Sequence, residues 1–156
     1  MPKRYNQPCP VAKSLEVIGD RWTLLVVRDL LRGTQRFQDL LTTLPGIAPN
    51  ILSARLKLME EHGLIVREFY SEHPPRAQYT LTERGQGLGM VVGALADWGS
   101  RHVYKRARLV HADCGKEVRL GYHCADCGTR VRGASVELRR AGRRPAASKS
   151  AAKSAS

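Results

Sequence analysis

Apolar side chains recur at helical spacing from Val11 to Met59, and each run closes on a glycine or a proline. Pro10 suits a first helical position, and Val11, Leu15 and Ile18 follow as one stripe up to Gly19. A second helix is predicted from Trp22 to Leu31, with Leu24, Leu25, Val27, Leu30 and Leu31 as its face and Gly33 as its stop. Thr34 is expected to cap a short third helix carrying Phe37, Leu40 and Leu41, and Pro45-Gly46 makes a turn. The fourth helix runs from Pro49 to His62 on a stripe of Leu52, Leu56 and Met59, and Gly63 ends it.

Beyond Gly63 the period changes. Residues 64 to 70 read as a strand and residues 78 to 81 as its return, so the chain makes a hairpin. Ser71 to Ala77, with Pro74-Pro75 inside, is expected to be a loop, giving the hairpin a long tip. Thr82 then caps one long helix with Glu83 in its first turn and a stripe of Leu88, Val91, Val92, Leu95 and Trp98. Such a stripe near the end of a small domain is expected to pack against a partner chain, the alternative being the chain's own core. Three helices, a recognition-type helix, a β-hairpin and a closing helix spell a winged helix-turn-helix, a mainly α fold with a small β-wing.

Patterning divides the chain into residues 1–104, a DNA-binding and dimerisation domain; 105–138, a small zinc-ribbon-like β unit; and 139–156, a basic tail expected to be disordered. The formal charge is +12, and residues 132 to 156 hold seven Lys/Arg against one Glu, so half the excess sits in the tail. The other half belongs to the body and points to an anionic partner, nucleic acid first. The start, MPKRYNQPCP, carries no apolar run, and no stretch approaches the ~20 apolar residues of a membrane span. A cytoplasmic, nucleoid-associated protein with no membrane partner is expected, in a compartment where structural disulfides are rare.

If Leu52, Leu56 and Met59 face inward, a turn of about 100° per residue sends Asn50, Ser53, Ala54 and Lys57 outward, toward a major groove. Asn50 suits an adenine edge, Ser53 donates or accepts, and Lys57 suits phosphate. Arg55 lies on the flank, where it is expected to brace the DNA backbone. His73 and Arg76 sit at the hairpin tip, where Arg76 would reach a minor groove or a phosphate, and Arg36 opens the third helix where phosphate commonly lies. One such domain reads few bases. A two-fold homodimer sets two recognition helices about one DNA turn apart over a roughly palindromic operator.

These residues also carry a resemblance. Cys9-Pro10, the Gly19-to-Trp22 turn, Arg36-Phe37, Gly46-Ile47, Gly63-Leu64-Ile65, Pro74-Pro75-Arg76, Tyr79-Thr80-Leu81-Thr82 and Trp98-Gly99 follow one another in an order that closely resembles the HxlR-type regulators, relatives of the MarR group. The resemblance implies a dimeric double-stranded DNA-binding transcription factor, a repressor by default, with its first and last helices in the dimer interface. Two departures stand out. Gly-Asp-Arg-Trp replaces the usual Gly-Gly-Lys-Trp, and Ala48 replaces a common Ser at a helix start, which removes a side-chain cap. Residues 105 to 156 lie outside the resemblance.

The four cysteines fall into two groups. Cys9 takes an N-cap position, where the helix dipole and nearby Lys13 favour thiolate, open to oxidants or electrophiles. Several members of the resembled family sense oxidants through a cysteine placed there, so an oxidant or small-molecule inducer is implied. The alternative is a packing residue. His111-Ala112-Asp113-Cys114-Gly115 and Cys124-Ala125-Asp126-Cys127-Gly128 form a near-repeat offset by 13 residues. Each half is a ligand pair followed by glycine, the knuckle of a zinc ribbon. His111, Cys114, Cys124 and Cys127 would close a structural Zn2+ tetrahedron with no open position for catalysis; His123 is a rival for His111, and a metal-free hairpin is the alternative. An enzyme would need a nucleophile with a partnered base, which the sequence does not show. An RNA-binding or ribosome-associated zinc-ribbon protein also fits basic charge and a ribbon, while the wing and recognition helix favour duplex DNA.

Overall fold

The computed structural model describes residues 4–73, 75–131 and 133–139. The chain separates into two units, Met1–Val118 and Arg119–Ser156, and the change of patterning after residue 104 falls inside the first. The tail from residue 140 and the wing residue Pro74 lie outside the described residues.

Helix α1 (Pro10–Ile18) begins with Cys9 at its N-cap and Pro10 at its first position, and the Gly19 amide closes it on the Leu15 carbonyl at 2.9 Å. Asp20 starts α2 (Thr23–Leu30): its Oδ1 accepts from the amides of Trp22 and Thr23 and from the Thr23 hydroxyl, each at 2.9 Å. Helix α2 buries Thr23, Val26, Val27 and Leu30, whereas Leu25 and Leu31 of the expected face stay exposed. Buried Asp29 holds α2 to the next helix by accepting from the Thr43 hydroxyl at 2.8 Å.

Two residues form an unexpected strand, β1 (Gln35–Arg36), directly before α3 (Phe37–Thr43). Thr34 does not cap α3; its hydroxyl shares a 2.9 Å hydrogen bond with that of Thr80. Asp39 caps instead, accepting from the Arg36 amide at 3.0 Å. Helix α4 (Pro49–Glu61) has Pro at its first position, and Ala48 supplies no side-chain cap. Gly63, at φ 65°, lets the chain leave α4 and enter the wing, a conformation that glycine adopts at little cost.

Strands β2 (Ile65–Glu72) and β3 (Pro75–Leu81) run antiparallel, and β1 joins the free edge of β3, giving the order β1-β3-β2. The expected long tip is absent. Pairing continues to Glu72 opposite Pro75, with a register shift between Phe69 and Ser71. The shift takes up an extra residue, and Pro75 opens its strand, where a missing N–H is tolerated.

The expected single closing helix is broken. Thr82 does cap, its hydroxyl accepting from the Gly85 amide at 3.1 Å and donating to the Gly63 carbonyl at 2.7 Å. But α5 (Glu83–Gln86) ends there, and α6 (Gly89–His102) starts anew beyond Gly87-Leu88. The reason is packing. Gly85 is pressed onto β2's entry, where a Cβ would stand 2.0 Å from the Leu64 carbonyl oxygen, and Leu88 turns in to the core. The core joins Ile18, Val26, Val27, Leu30, Leu40, Leu44, Leu52, Leu56, Met59, Ile65 and Leu81. By contrast α6 buries no residue, and Met90, Leu95 and Trp98 are 67%, 52% and 59% exposed.

In the second unit, β4 (Tyr122–His123) pairs antiparallel with β5 (Arg130–Val131), followed by a single 3-10 turn, Gly133–Ser135. Among the described residues no helix is long and apolar enough to cross a membrane.

Candidate nucleic-acid interface

Helix α4 divides as its sequence predicts. Leu52, Leu56 and Met59 are 0%, 2% and 1% exposed, while Asn50, Ser53, Ala54 and Lys57 are open to solvent. The Lys57 ammonium stands 3.9 Å from Glu61, a loose pair on a side chain that is 79% exposed. Ile51, also exposed, adds an apolar surface that the stripe did not single out.

Beside this face opens a cleft of about 1000 Å³, bounded by the start of α3, by α4 and by the wing. Ser53 and Lys57 line it from α4, Arg36 from the start of α3, and Arg67, Tyr70 and Arg76 from the wing. The Arg36 guanidinium lies 4.7 Å over the Tyr70 ring, and that of Arg67 lies 4.5 Å over the Phe69 ring. Stacking on an aromatic face holds a guanidinium flat while its N–H edge stays available to an acceptor. Asp39 and Glu60 also reach the cleft, so its charge is basic but not uniform. At its floor, burial pushes the Tyr79 hydroxyl above its ordinary range, with Arg67, directly opposite across the sheet, pulling the other way. Arg67 was missed by sequence reasoning; its signal was an arginine two residues before an aromatic on one strand, where alternate residues share a face.

Of the expected contacts, Arg36, Ser53, Lys57 and Arg76 line the cleft, and Asn50 and Ala54 are exposed at the start of the same helix. His73 is exposed at the wing tip. Arg55 is the exception. It turns inward, 20% exposed, and pairs with Asp20.

These features place a solvent-facing helix next to a basic, aromatic-studded wing, and the whole fold agrees with known proteins over the same stretch. The model of the HxlR-like helix-turn-helix matches residues 17–107. The chain belongs to that family. It is 35% identical over 130 residues to an uncharacterised HTH-type transcriptional regulator of Mycobacterium tuberculosis, covering 81% of this chain and 82% of the relative. Among solved structures, PA1607, a candidate transcription factor, superposes with a TM-score of 0.73 at 36% identity, covering 86% of this chain and 96% of the other. The redox regulator HypR in its oxidized form superposes with a TM-score of 0.57 at 33% identity, over 60% of this chain and 97% of HypR. This HxlR-like chain is a transcriptional regulator of the helix-turn-helix type, and the resemblance read from its motifs holds.

Two further cysteine environments complete the picture. Cys9 is half-buried at the α1 N-cap with no side-chain cap bond. The Lys13 expected beside it is committed elsewhere, donating to Glu16 at 2.7 Å and to the Tyr5 carbonyl at 3.2 Å. The 13-residue near-repeat is also a repeat of backbone. The His111 amide donates to the Lys116 carbonyl at 2.9 Å, and the Cys124 amide to that of Thr129 at 3.0 Å. Gly115 and Gly128 both turn left-handed, at φ 66° and 63°. The bridge of Val110 to Glu117 and the pair of His123 with Arg130 keep the same offset. In the first turn His111 Nδ1 lies 3.2 Å from Cys114 Sγ. In the second, a hydrogen bond with Cys124 and another from the Thr129 hydroxyl hold the Cys127 thiol below its ordinary range. Among the described residues no three His, Cys, Asp or Glu side chains gather as a metal site.

Proposed function

We propose that this regulator binds duplex DNA as a cytoplasmic homodimer on a roughly palindromic operator, with no catalytic role. The observation that carries the reading is the exposed α4 face beside the basic cleft. Asn50, Ser53 and Ala54 meet base edges; Lys57, Arg36, Arg67 and Arg76 meet phosphate, with His73 beside them at the wing tip. Dimerisation is supported by apolar surface left open on the first and last helices of the fold: Val11 and Leu15 on α1, and Met90, Leu95 and Trp98 on α6. Repression follows when the dimer occupies promoter DNA.

Cys9 is the switch in this reading. Its place at a helix start and the likeness to a redox regulator support it. Oxidation or alkylation there alters α1 and with it the spacing of the two α4 helices. The repeated turns support a second element, structural zinc held by His111, Cys114, Cys124 and Cys127, because a left-handed glycine after each pair is what a knuckle requires.

Competition binding separates duplex DNA from structured RNA. At matched salt, unlabelled duplex should displace a labelled duplex from the protein at lower concentration than a hairpin RNA of equal length, and the complex should contain two chains. Preference for the RNA would transfer the function to the RNA-binding alternative.

A further inference from the structure

We infer that Asp20 and Arg55 are positioning residues that fix the pose of α4 over its operator, rather than residues that touch DNA. The inference rests on the DNA-binding reading above and deepens it. Asp20 has both carboxylate oxygens committed. Oδ1 takes the two amides and the hydroxyl at the start of α2, and Oδ2 meets the Arg55 guanidinium from the middle of α4. One short side chain therefore ties the first turn of α2, whose Thr23 has no exposed surface, to the recognition helix.

Arg55 is built for that role. At about 100° per residue it stands roughly 40–60° from Met59 and Leu52, on the core's shoulder and away from Asn50, Ser53 and Lys57. Its Nε is buried and has no hydrogen-bond partner among the described residues. An arginine that met phosphate would have to leave Asp20 and swing out from this setting. A half-buried pair of this kind adds little net stability, because desolvation offsets attraction, yet breaking one side strands the other charge. Its worth lies in geometry, since a charge pair with fixed hydrogen bonds admits few rotations of α4. Base reading depends on that rotation, because contacts to base edges tolerate little displacement, whereas phosphate contacts spread along the backbone tolerate more.

The test uses a duplex enriched by the full-length protein from a random-sequence library, and an unrelated duplex of equal length. Asp20→Asn keeps a carbonyl oxygen for the α2 cap but removes the charge that holds Arg55. Arg55→Gln removes the other partner. Both should lower the ratio of enriched-site to unrelated-duplex affinity about tenfold or more, the worth of one base contact. Both should leave the slope of log K against log salt unchanged. The double variant should be no worse than either single one, and Arg55→Lys should recover part of the ratio. A salt slope reduced by about 0.9 in Arg55→Gln would make Arg55 a phosphate contact and overturn the inference. An unchanged ratio in both single variants would do the same. If one variant fails to fold by thermal melting, the other carries the test. A wild-type protein with no preference between the two duplexes would instead remove the DNA-binding reading itself.

Discussion

Replacing Lys57 by alanine should separate phosphate binding from base reading on one helix, the division of roles proposed above. The side chain is 79% exposed and only loosely paired to Glu61 at 3.9 Å, so the fold should barely notice its loss; exposed pairs of this spacing contribute about 0.3–0.5 kcal/mol. For DNA the effect is larger and carries a signature. Each phosphate neutralised by a lysine adds about 0.9 to the magnitude of the slope of log K against log salt. Lys57→Ala should therefore flatten that slope by about 0.9. Between about 50 and 200 mM salt, a fourfold change, the variant's deficit relative to wild type should shrink by ~3.5-fold. The deficit should be the same on an enriched and an unrelated duplex. Asn50→Ala should behave in the opposite way, losing about 1–3 kcal/mol on the enriched site alone with an unchanged slope. Fluorescence anisotropy titrations of both duplexes at four salt concentrations measure all of this. Equal losses in the two variants, with neither slope nor preference altered, would refute the division of labour along α4.

Three other outcomes follow from the geometry. Gly85→Ala should destabilise the protein by about 1–3 kcal/mol or more in denaturant melts, because the added Cβ meets the Leu64 backbone oxygen, which cannot step aside; an unchanged midpoint would show that the α5 packing is wrong. Cys9→Ser should bind DNA like wild type yet ignore a quinone or a peroxide in a mobility-shift assay, and a response that survives the change exonerates the thiol. Metal analysis of the purified chain should find about one zinc, lost in Cys124→Ser, and a sample that is free of metal and unchanged in near-ultraviolet dichroism would end the ribbon reading.

What the sequence disclosed was whatever local pattern controls. The inward stripe of α4, the glycine at its end and the Thr82 cap all depend on neighbours within a few residues, and each appears where expected. Most of the departures come from contacts between residues distant in the chain, while the paired wing tip and the Lys13–Glu16 bond are local. Thr34 leaves its helix for Thr80, and Gln35 pairs with Tyr79, both across the sheet. Gly85 sits inside the short α5 with the Leu64 backbone against it, and Leu88 turns to the core where the expected single helix is broken. The helix flank suggests a DNA contact for Arg55, whereas its side chain turns inward to pair with Asp20. The helical angle already hinted at this, since Arg55 sits nearer to the core stripe than to the outward face.

The pairing of the wing out to Glu72 and Pro75, resumed after the shift at Tyr70, has an energetic consequence. A slack loop between Ser71 and Ala77 would surrender about 1–2 kcal/mol of backbone freedom for each residue frozen on a target. Here folding has already met that cost, before any encounter. The backbone that carries Arg76 is therefore already ordered, and in the proposed complex only the exposed side chain and the association itself remain to be offset by its contact with a groove or a phosphate.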